Sequence, residues 1–286
     1  MDAVRLPVGR LAAAMLAGQR RGATAGGGDD GIVPGRTIIV TSTTDSVVLK
    51  INGVSKTYAV TPNEPTRVVV EEGEVTMLDS FFENQKVTEL DLSNFDTSNV
   101  ASYSRLFFQC SNLKSIKGLK VTSKTISLSD TFYQCNRLEE VEDMSKWDTS
   151  NIGSFWRTFY GCGNLKKDFS SFDISHKAVN VTNMFNNGGA GSSLDISTFD
   201  FNRVPSTDSM FGRCGKLTDL RFGRNLKVSV DFSSCPLTHE SALSVIEGLA
   251  EVDTAQTVTF KATTYGTLTE GEIALATSRG WSVVSA

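Results

Sequence analysis

The feature that most constrains the fold is a phenylalanine followed three positions later by a cysteine, which recurs along most of the chain. Successive copies begin 25 to 27 residues apart, and the last interval shortens to 21 residues. In two copies, asparagine or glycine takes the position of the cysteine. The pairs are Phe81/Asn84, Phe107/Cys110, Phe132/Cys135, Phe159/Cys162, Phe185/Gly188, Phe211/Cys214 and Phe232/Cys235. Such a period predicts a repeat solenoid in which each coil stacks on the previous one. We therefore expect function on surfaces rather than in a catalytic pocket.

Composition narrows the class of protein further. The chain has 286 residues, a hydrophobic content of 40% and a formal net charge of −4, which is typical of a folded and mildly acidic protein. Without an excess of basic residues, nucleic acid is not an expected partner. The longest apolar run, residues 11–17, is much shorter than the roughly 20 residues that span a bilayer, so we expect no transmembrane segment.

Residues 1–35 admit two interpretations. One is a cleaved signal peptide, although its apolar core is short, Arg20 and Arg21 follow directly, and no cysteine offers a lipidation site. The other is a short helix over residues 11–19, tethered by a flexible glycine-rich linker over 22–31. In the second interpretation the segment anchors the chain in a larger assembly, and the candidate anchoring residues are Leu6, Leu11, Met15 and Leu16.

Residues 36–76 are predicted to form a small antiparallel β domain. Four short segments, 37–40, 46–51, 57–60 and 66–70, are dense in β-branched residues. Asn52 and Gly53 between two of them are a strong hairpin signal. We expect this domain to cap the first coil of the array. Ligand binding by the domain is the alternative.

Residues 77–235 are predicted to be the repeats. Apolar residues three and six positions after the cysteine, such as Leu113 and Ile116, predict a short strand in each coil. A second motif, an aromatic residue followed by Asp and a Thr/Ser/Asn cluster, predicts a core contact and a turn, and coil 116–130 lacks it. The motif contains four aspartates, Asp96, Asp148, Asp173 and Asp200. We expect them to hydrogen-bond within the turns rather than bind calcium between coils.

Residues 236–286 are predicted to close the array as an α/β cap. Thr238 is placed to cap a helix that runs to about Leu249, and residues 257–260 read as a strand. Thr269 and Glu272 have the spacing of a capping box that opens a second helix. Gly280 is expected to end that helix before a last strand over 281–284.

Four segments resemble the BspA-like leucine-rich repeats of bacterial surface proteins, including the mycoplasma lipoprotein-associated group. They are LDLSNFDTSNV (90–100), LFFQCSNLKSI (106–116), MSKWDTSNI (144–152) and TFYGCGNL (158–165). The segments PLTHESALSVIEGLA (236–250) and ATSRGWSV (276–283) are similar to the ends of such proteins encoded by gut bacteria and their phages. The resemblance implies a solenoid of leucine-rich repeats of about 26 residues with short parallel strands, used in adhesion and protein binding, with no enzymatic activity.

The chemistry-bearing residues favour packing over catalysis. Five cysteines occur in the repeats; their odd number and the parallel direction of stacked side chains favour buried thiols over disulfides. Asn84 and Gly188 in this position favour the same interpretation, because a disulfide or a metal ligand could not be replaced so freely. His176 and His239 lie in no catalytic or zinc-binding spacing. We expect no enzyme activity, cofactor or metal site.

The candidate ligand-binding residues are the polar positions that flank the strand position of each coil. If the coils stack in register, these residues align as columns on one face. They are Glu89, Asp91, Ser115, Lys117, Glu140, Glu142, Ser193, Asp195, Asp219 and Arg221. The alternative is a solvated sheet surface whose charges only maintain solubility.

These observations predict a non-enzymatic structural and interaction protein of a phage particle, such as a fibre or decoration protein. Residues 1–35 would dock to capsid or tail proteins, and the repeats would bind a host surface protein or glycan; a homo-oligomer is possible under this hypothesis. The expected location is the virion. A secreted or surface-displayed bacterial adhesin is one alternative, and a purely architectural trimer component without a receptor is another.

Overall fold

A computed structural model describes residues 34–70 and 74–286. Residues Pro34–Ala286 form one compact unit. The four apolar residues predicted to anchor the chain, Leu6, Leu11, Met15 and Leu16, lie outside the described residues.

The N-terminal strands are β1 (Thr37–Ser42), β2 (Ser46–Ile51), β3 (Val54–Ala59) and β4 (Thr66–Val69). The predicted hairpin joins β2 to β3, because Ile51 pairs with Val54 across Asn52 and Gly53. Both turn residues have positive φ, at 49° and 85°, as the favoured two-residue hairpin turn requires. The third strand was predicted too late in the sequence, at 57–60, since Val54 and Ser55 already pair in the ladder.

The strands of the repeats pair in parallel, coil to coil. β5 (Val87–Asp91), β6 (Ser115–Lys117) and β7 (Glu140–Val141) form one sheet with the two N-terminal strands, in the order β4-β1-β5-β6-β7. β8 (Ser193–Asp195) and β9 (Asp219–Arg221) form a separate two-stranded sheet. A second line of single parallel bridges also joins successive coils and runs through Met77, Ser102, Ser127, Ser154 and Asn180.

A column of stacked phenylalanine rings fills the interior. Neighbouring centroids are 4.7 to 6.0 Å apart along Phe82, Phe107, Phe132, Phe159, Phe185, Phe211, Phe232 and Phe260. The first member is Phe82 and not the predicted Phe81, which instead stacks on Phe95 at 5.9 Å. Burial of each ring stabilises the fold by about 1.5 to 3 kcal/mol.

The C-terminal segment has parallel strands β10 (Val230–Phe232), β11 (Gln256–Phe260) and β12 (Trp281–Ser285), with helices α1 (His239–Glu247), α2 (Ala262–Tyr265) and α3 (Glu270–Ser278). Two predicted helix starts are confirmed. The Thr238 side chain accepts a hydrogen bond from the Ser241 amide, and Thr269 with Glu272 forms a reciprocal capping box. Both caps satisfy amide groups that have no partner within the helix.

Helix α1 lies at the open edge of β9, where a following strand would otherwise pair. The Leu220 amide donates to Ser241 Oγ at 2.8 Å, and the Phe222 amide donates to Ser244 Oγ at 3.0 Å. Helix hydroxyls thus satisfy the strand edge, which would otherwise leave unpaired backbone groups.

Candidate interaction surface

The polar face of β5, β6 and β7 brings six of the ten predicted residues together. Glu89 pairs in register with Ser115, which pairs with Glu140. Asp91 pairs with Lys117 in the adjacent row, and Glu142 follows β7 with its amide donating to the Ile116 carbonyl at 2.9 Å. The residues between these positions, Leu90, Ile116 and Val141, are buried. Strict alternation therefore turns the six polar side chains away from the core.

This face continues onto the N-terminal strands. Ile39 of β1 pairs with Asp91 on one side and with Arg67 of β4 on the other, and Thr41 pairs with Glu89. Arg67 is exposed, and Ile39 and Thr41 are half-buried. We use the term polar sheet face for the two rows Arg67, Ile39, Asp91, Lys117, Glu142 and Thr41, Glu89, Ser115, Glu140. The sequence did not indicate the contribution of β1 and β4, because antiparallel pairing with the first coil leaves no local pattern.

The other four predicted residues lie on the separate sheet of β8 and β9. Ser193 pairs with Asp219, and Asp195 pairs with Arg221. The last two form an ion pair with 3.7 Å between Arg221 Nη1 and Asp195 Oδ2, and both side chains are largely exposed. An exposed pair of this kind contributes at most about 1 kcal/mol. The predicted columns are therefore two surfaces, separated by a coil that has no strand over residues 163–170.

Comparison with known families finds one matching family model. A family model described as "Mycoplasma protein of unknown function, DUF285" matches residues 70–139 and 126–229, which together span more than half of the chain. The chain belongs to this family. No curated protein and no solved structure matches it.

In this DUF285 protein the cysteines bind the backbone of the preceding coil. Each thiol donates to the carbonyl oxygen of the previous ring in the phenylalanine column: Cys110 to Phe82 at 2.8 Å, Cys135 to Phe107 at 3.0 Å, Cys162 to Phe132 at 2.9 Å, Cys214 to Phe185 at 3.0 Å and Cys235 to Phe211 at 3.5 Å. All five are free and buried. Burial raises the pKa of Cys110 and of Cys162 to about 12, so both remain protonated near neutral pH and are poor nucleophiles.

Cys214 has a different environment. Interaction between the neighbouring thiols of Cys214 and Cys235 lowers the pKa of Cys214 and raises that of Cys235. The amides of Ala190 and Gly188 also favour the Cys214 thiolate. The five cysteines are therefore alike in packing but differ in the direction in which their pKa values are shifted.

The two predicted substitutions in the cysteine column were wrong. Asn84 is exposed, and Gln85 is the residue three positions after Phe82. Gly188 has φ of +76°, and a Cβ built on it would meet no atom within 4 Å. The residue packed against the preceding coil is Gly189, whose Cβ would lie 2.1 Å from the Phe159 carbonyl oxygen. The repeat period alone does not locate a position to a single residue, so it could not reveal these one-residue shifts.

The coil over residues 163–170 lacks a strand because its interior position is a carboxylate. Asp168 falls where Ile116 and Val141 are buried in other coils, and it is exposed instead, since an unpaired buried charge is costly. Phe169 takes the interior place. Its ring meets four others edge-on, with centroids 4.8 to 5.7 Å away, in Phe159, Phe172, Phe185 and Phe199.

Lys167 in the same coil is partly buried. Its ammonium donates to the Leu165 carbonyl at 3.1 Å and has no carboxylate within 4 Å among the described residues. Desolvation lowers the pKa of Lys167 to about 8. Residue 167 falls in the row of Glu140, but without the strand it does not extend the polar sheet face.

The four aspartates of the second motif form the predicted turns. Oδ1 of each aspartate accepts a hydrogen bond from the backbone amide two residues later, at 2.8 to 3.1 Å. The donating amides are those of Ser98, Ser150, Ser175 and Asn202. These backbone hydrogen bonds lower the pKa of Asp96 and of Asp173. Within residues 34–70 and 74–286, no three His, Cys, Asp or Glu side chains are placed to hold a metal ion. The helices of those residues are too short or too polar to cross a membrane.

Two side-chain columns were missed by the sequence analysis. Serine hydroxyls form a continuous hydrogen-bonded chain across three coils, which ends at Asp79 Oδ1 and runs through Ser102, Ser104, Ser127, Ser129 and Ser154. Half-buried rings of Phe108, Tyr133 and Tyr160 stack at 4.6 to 4.7 Å. The sequence contains signals that could have revealed both columns: Ser-x-Ser for the first and pairs of aromatic residues for the second, each recurring at the repeat period.

Proposed function

We propose that this chain is a non-enzymatic interaction protein whose coils form a BspA-like leucine-rich repeat solenoid and whose polar sheet face binds its ligand. The observation that carries the proposal is the register of Glu89, Ser115 and Glu140 beside Asp91 and Lys117. Rows of exposed groups fixed on paired strands lose little conformational freedom on binding, which favours recognition.

The expected ligand is a host surface protein or glycan. The polar sheet face presents four carboxylates, in Glu89, Asp91, Glu140 and Glu142, against the cations of Lys117 and Arg67. A complementary ligand therefore offers hydrogen-bond donors or cationic groups to the carboxylates and an acceptor to Lys117.

The first setting that we propose is a phage particle, in which the chain is a fibre or decoration protein. The resemblance of residues 236–250 and 276–283 to repeat proteins of gut bacteria and their phages supports this setting. In this proposal residues 1–35 attach the chain to capsid or tail proteins. The second candidate is a bacterial surface adhesin, which the resemblance of the repeats to BspA-like repeats of bacterial surface proteins supports.

Binding by the polar sheet face is tested with the full chain on a glycan array and on intact cells of a gut bacterial panel. Glu140→Gln with Glu142→Gln removes two charges from exposed positions, and we expect binding to weaken about 10-fold or more. The matched control, Asp195→Asn with Asp219→Asn, removes two charges from the other sheet. Loss of binding only in the control, or no binding by the unmodified chain, would contradict the proposal.

The setting is tested by immunogold labelling of purified phage particles and of bacterial cells from one culture. Label on particles, lost when residues 1–35 are deleted, is expected for a virion protein. Label confined to the cell surface supports the adhesin instead. Equal incorporation of the full and truncated chains into particles would refute the anchoring role.

A further inference from the structure

Strand β12 has an open edge, on a different sheet from the polar sheet face. In the order β10-β11-β12, no strand in the described part of the chain pairs with the outer side of β12. Ala286 bonds to the β11 side, since its amide donates to the Phe260 carbonyl and its carbonyl accepts from the Ala262 amide, both at 2.9 Å. Backbone groups of alternate residues point to the same edge of a strand, so those of Val283 and Ser285 point to the open side.

The open edge of β12 also lacks charge. Residues 281–286, WSVVSA, include no charged side chain and no proline. The other edge strands of the described residues, β2, β3, β4, β7, β8, β9 and β10, each contain at least one charged residue, such as Lys56 of β3, Arg67 of β4 and Asp231 of β10. Charged residues on edge strands and polar outer faces on terminal repeats prevent pairing with other chains. The edge of β12 has neither protection.

We propose that β12 pairs antiparallel with β12 of a second copy of the chain, around a two-fold axis at Val284. A strand that matches an uncharged open edge needs such an edge itself, and β12 is the one strand with this property in the described part of the chain. Pairing of the same surface on both copies closes at two copies, so it produces a dimer and not a fibre.

The register follows from the direction of the open backbone groups. With Val284 opposite Val284 of the second copy, Val283 lies opposite Ser285 of the second copy, and Ser285 lies opposite Val283. The N–H and C=O groups of these two residues on both copies then form four hydrogen bonds across the axis. Val284 is 37% exposed, and the two valines would form a non-hydrogen-bonded pair, in which side chains approach most closely.

Helix α3 is compatible with this arrangement. Its Glu272 faces α1, because Oε1 lies 2.9 Å from Nε2 of His239. The opposite flank of α3 therefore lies towards the open edge of β12. That flank is a shallow depression lined by Glu270, Ile273, Ala274, Thr277 and Ser278. In the proposed dimer the two α3 helices run antiparallel on one face of a six-stranded sheet, which places the two Glu270 carboxylates at opposite ends, roughly 10 Å or more apart.

The dimer is tested by sedimentation of the full chain over a range of concentrations. We expect the mean mass to rise from 30.9 kDa towards twice that value between about 1 and 500 μM, as is typical of a small interface. Val284→Lys places two ammonium groups opposite each other at the axis and is expected to weaken association at least 10-fold. The matched control is Ile126→Lys, at a 51% exposed position in another coil, which should leave association unchanged.

Thermal unfolding verifies that both lysine variants fold. A monomer at every concentration would overturn the proposal. Association that Val284→Lys leaves unchanged, or a trimer or larger assembly in place of the dimer, would also overturn it, because the two-fold pairing of β12 closes at two copies.

Cross-linking tests the register independently. Val284→Cys is expected to give a covalent dimer on mild oxidation, because the two Cα atoms would lie within the range of a disulfide. Ser282→Cys, on the same exposed face, would lie roughly 14 Å from its counterpart and is expected not to cross-link. The five native cysteines are buried, so the unsubstituted chain is the background control. Absence of a covalent dimer with Val284→Cys, or equal yields at the two positions, would overturn the register.

Discussion

The coils over residues 100–162 and the coil over residues 163–192 each stack on the preceding coil, but they use different residues to do so. The first group has a thiol in every cysteine position, a strand in its first two coils and a hydroxyl chain. The second has Gly189 packed against the preceding coil in place of a cysteine, and it has Asp168 where other coils bury an aliphatic residue. The stacked phenylalanine column is common to both, with Phe159 and Phe185 at 5.9 Å. Ring stacking is therefore the feature that these coils share, whereas the cysteine and the strand are absent from one of them.

Compensation in the second region comes from two features. Phe169 fills the interior edge-on against four rings. Glycines allow backbones to approach: a Cβ on Gly163 would lie 2.7 Å from the Gly188 carbonyl oxygen, and one on Gly191 would lie 2.7 Å from the Gly163 carbonyl oxygen. Substitutions that remove one feature at a time show how much each region depends on that feature for its stability.

The largest expected effect is loss of an interior ring. Phe132→Ala in the regular coils and Phe169→Ala in the irregular coil are each expected to lower the free energy of unfolding by about 3 to 5 kcal/mol, since both leave a cavity among aromatic rings. Urea denaturation followed by fluorescence and circular dichroism measures both. A cost below about 1 kcal/mol for Phe169→Ala would mean that other contacts hold the irregular coil.

The second prediction separates two neighbouring glycines. Gly189→Ala places a methyl group 2.1 Å from the Phe159 carbonyl oxygen and 2.8 Å from that of Phe185. We expect a loss of about 3 kcal/mol from the resulting backbone displacement. Gly188→Ala meets no atom within 4 Å and costs only the left-handed conformation, about 1 kcal/mol. Equal costs, measured by the same denaturation, would place the close approach elsewhere.

The third prediction concerns pH. Because the pKa of Lys167 is lowered to about 8 from 10.5, the unfolded chain binds its proton more tightly than the folded chain between these values. The contribution of Lys167 to stability therefore rises as pH increases through this window. Lys167→Met removes the cost of the buried charge, so the variant should be more stable by about 1 to 2 kcal/mol at pH 7, allowing for partial exposure.

The advantage of Lys167→Met should shrink as pH rises from 8 and vanish above 10.5. Lys166→Met changes the adjacent exposed lysine and is expected to show no such trend. Unfolding free energies at pH 7 and pH 9.5 provide the comparison. A constant difference between variant and parent chain at both pH values would contradict desolvation as the cause.

The smallest expected effect is loss of a regular-coil thiol. Cys135→Ala removes one hydrogen bond to the Phe107 carbonyl, which still accepts from the Cys110 amide at 3.0 Å. With the small void included, we expect a cost of about 1 kcal/mol. The irregular coil already lacks this thiol, so a cost above about 3 kcal/mol would show that the cysteine is essential in regular coils alone.

Local signals in the sequence were sufficient for several elements. Asn52-Gly53 specified the hairpin because few residue pairs accept positive φ twice. Thr269 and Glu272 specified a helix start because their side chains satisfy specific amides. The aspartate turns at Asp96 and Asp173 were predictable for the same reason. The period of the phenylalanines likewise located the aromatic column to within one residue.

Long-range geometry decided the rest. Pairing of β1 with β5, which enlarges the polar sheet face, depends on contacts between residues about 50 positions apart and has no sequence signature. The exposed Asp168 ends one sheet at β7 and divides the predicted columns into two surfaces.

The sequence by itself determined which groups must be buried and where the chain must turn, because hydrophobicity and turn chemistry act within a few residues. Only the tertiary structure decided register, which Phe81 and Phe82 illustrate: both are buried, and a shift of one residue exchanges their roles. Register depends on how each coil meets its neighbour, and that contact energy is shared among side chains that are about 25 residues apart in sequence.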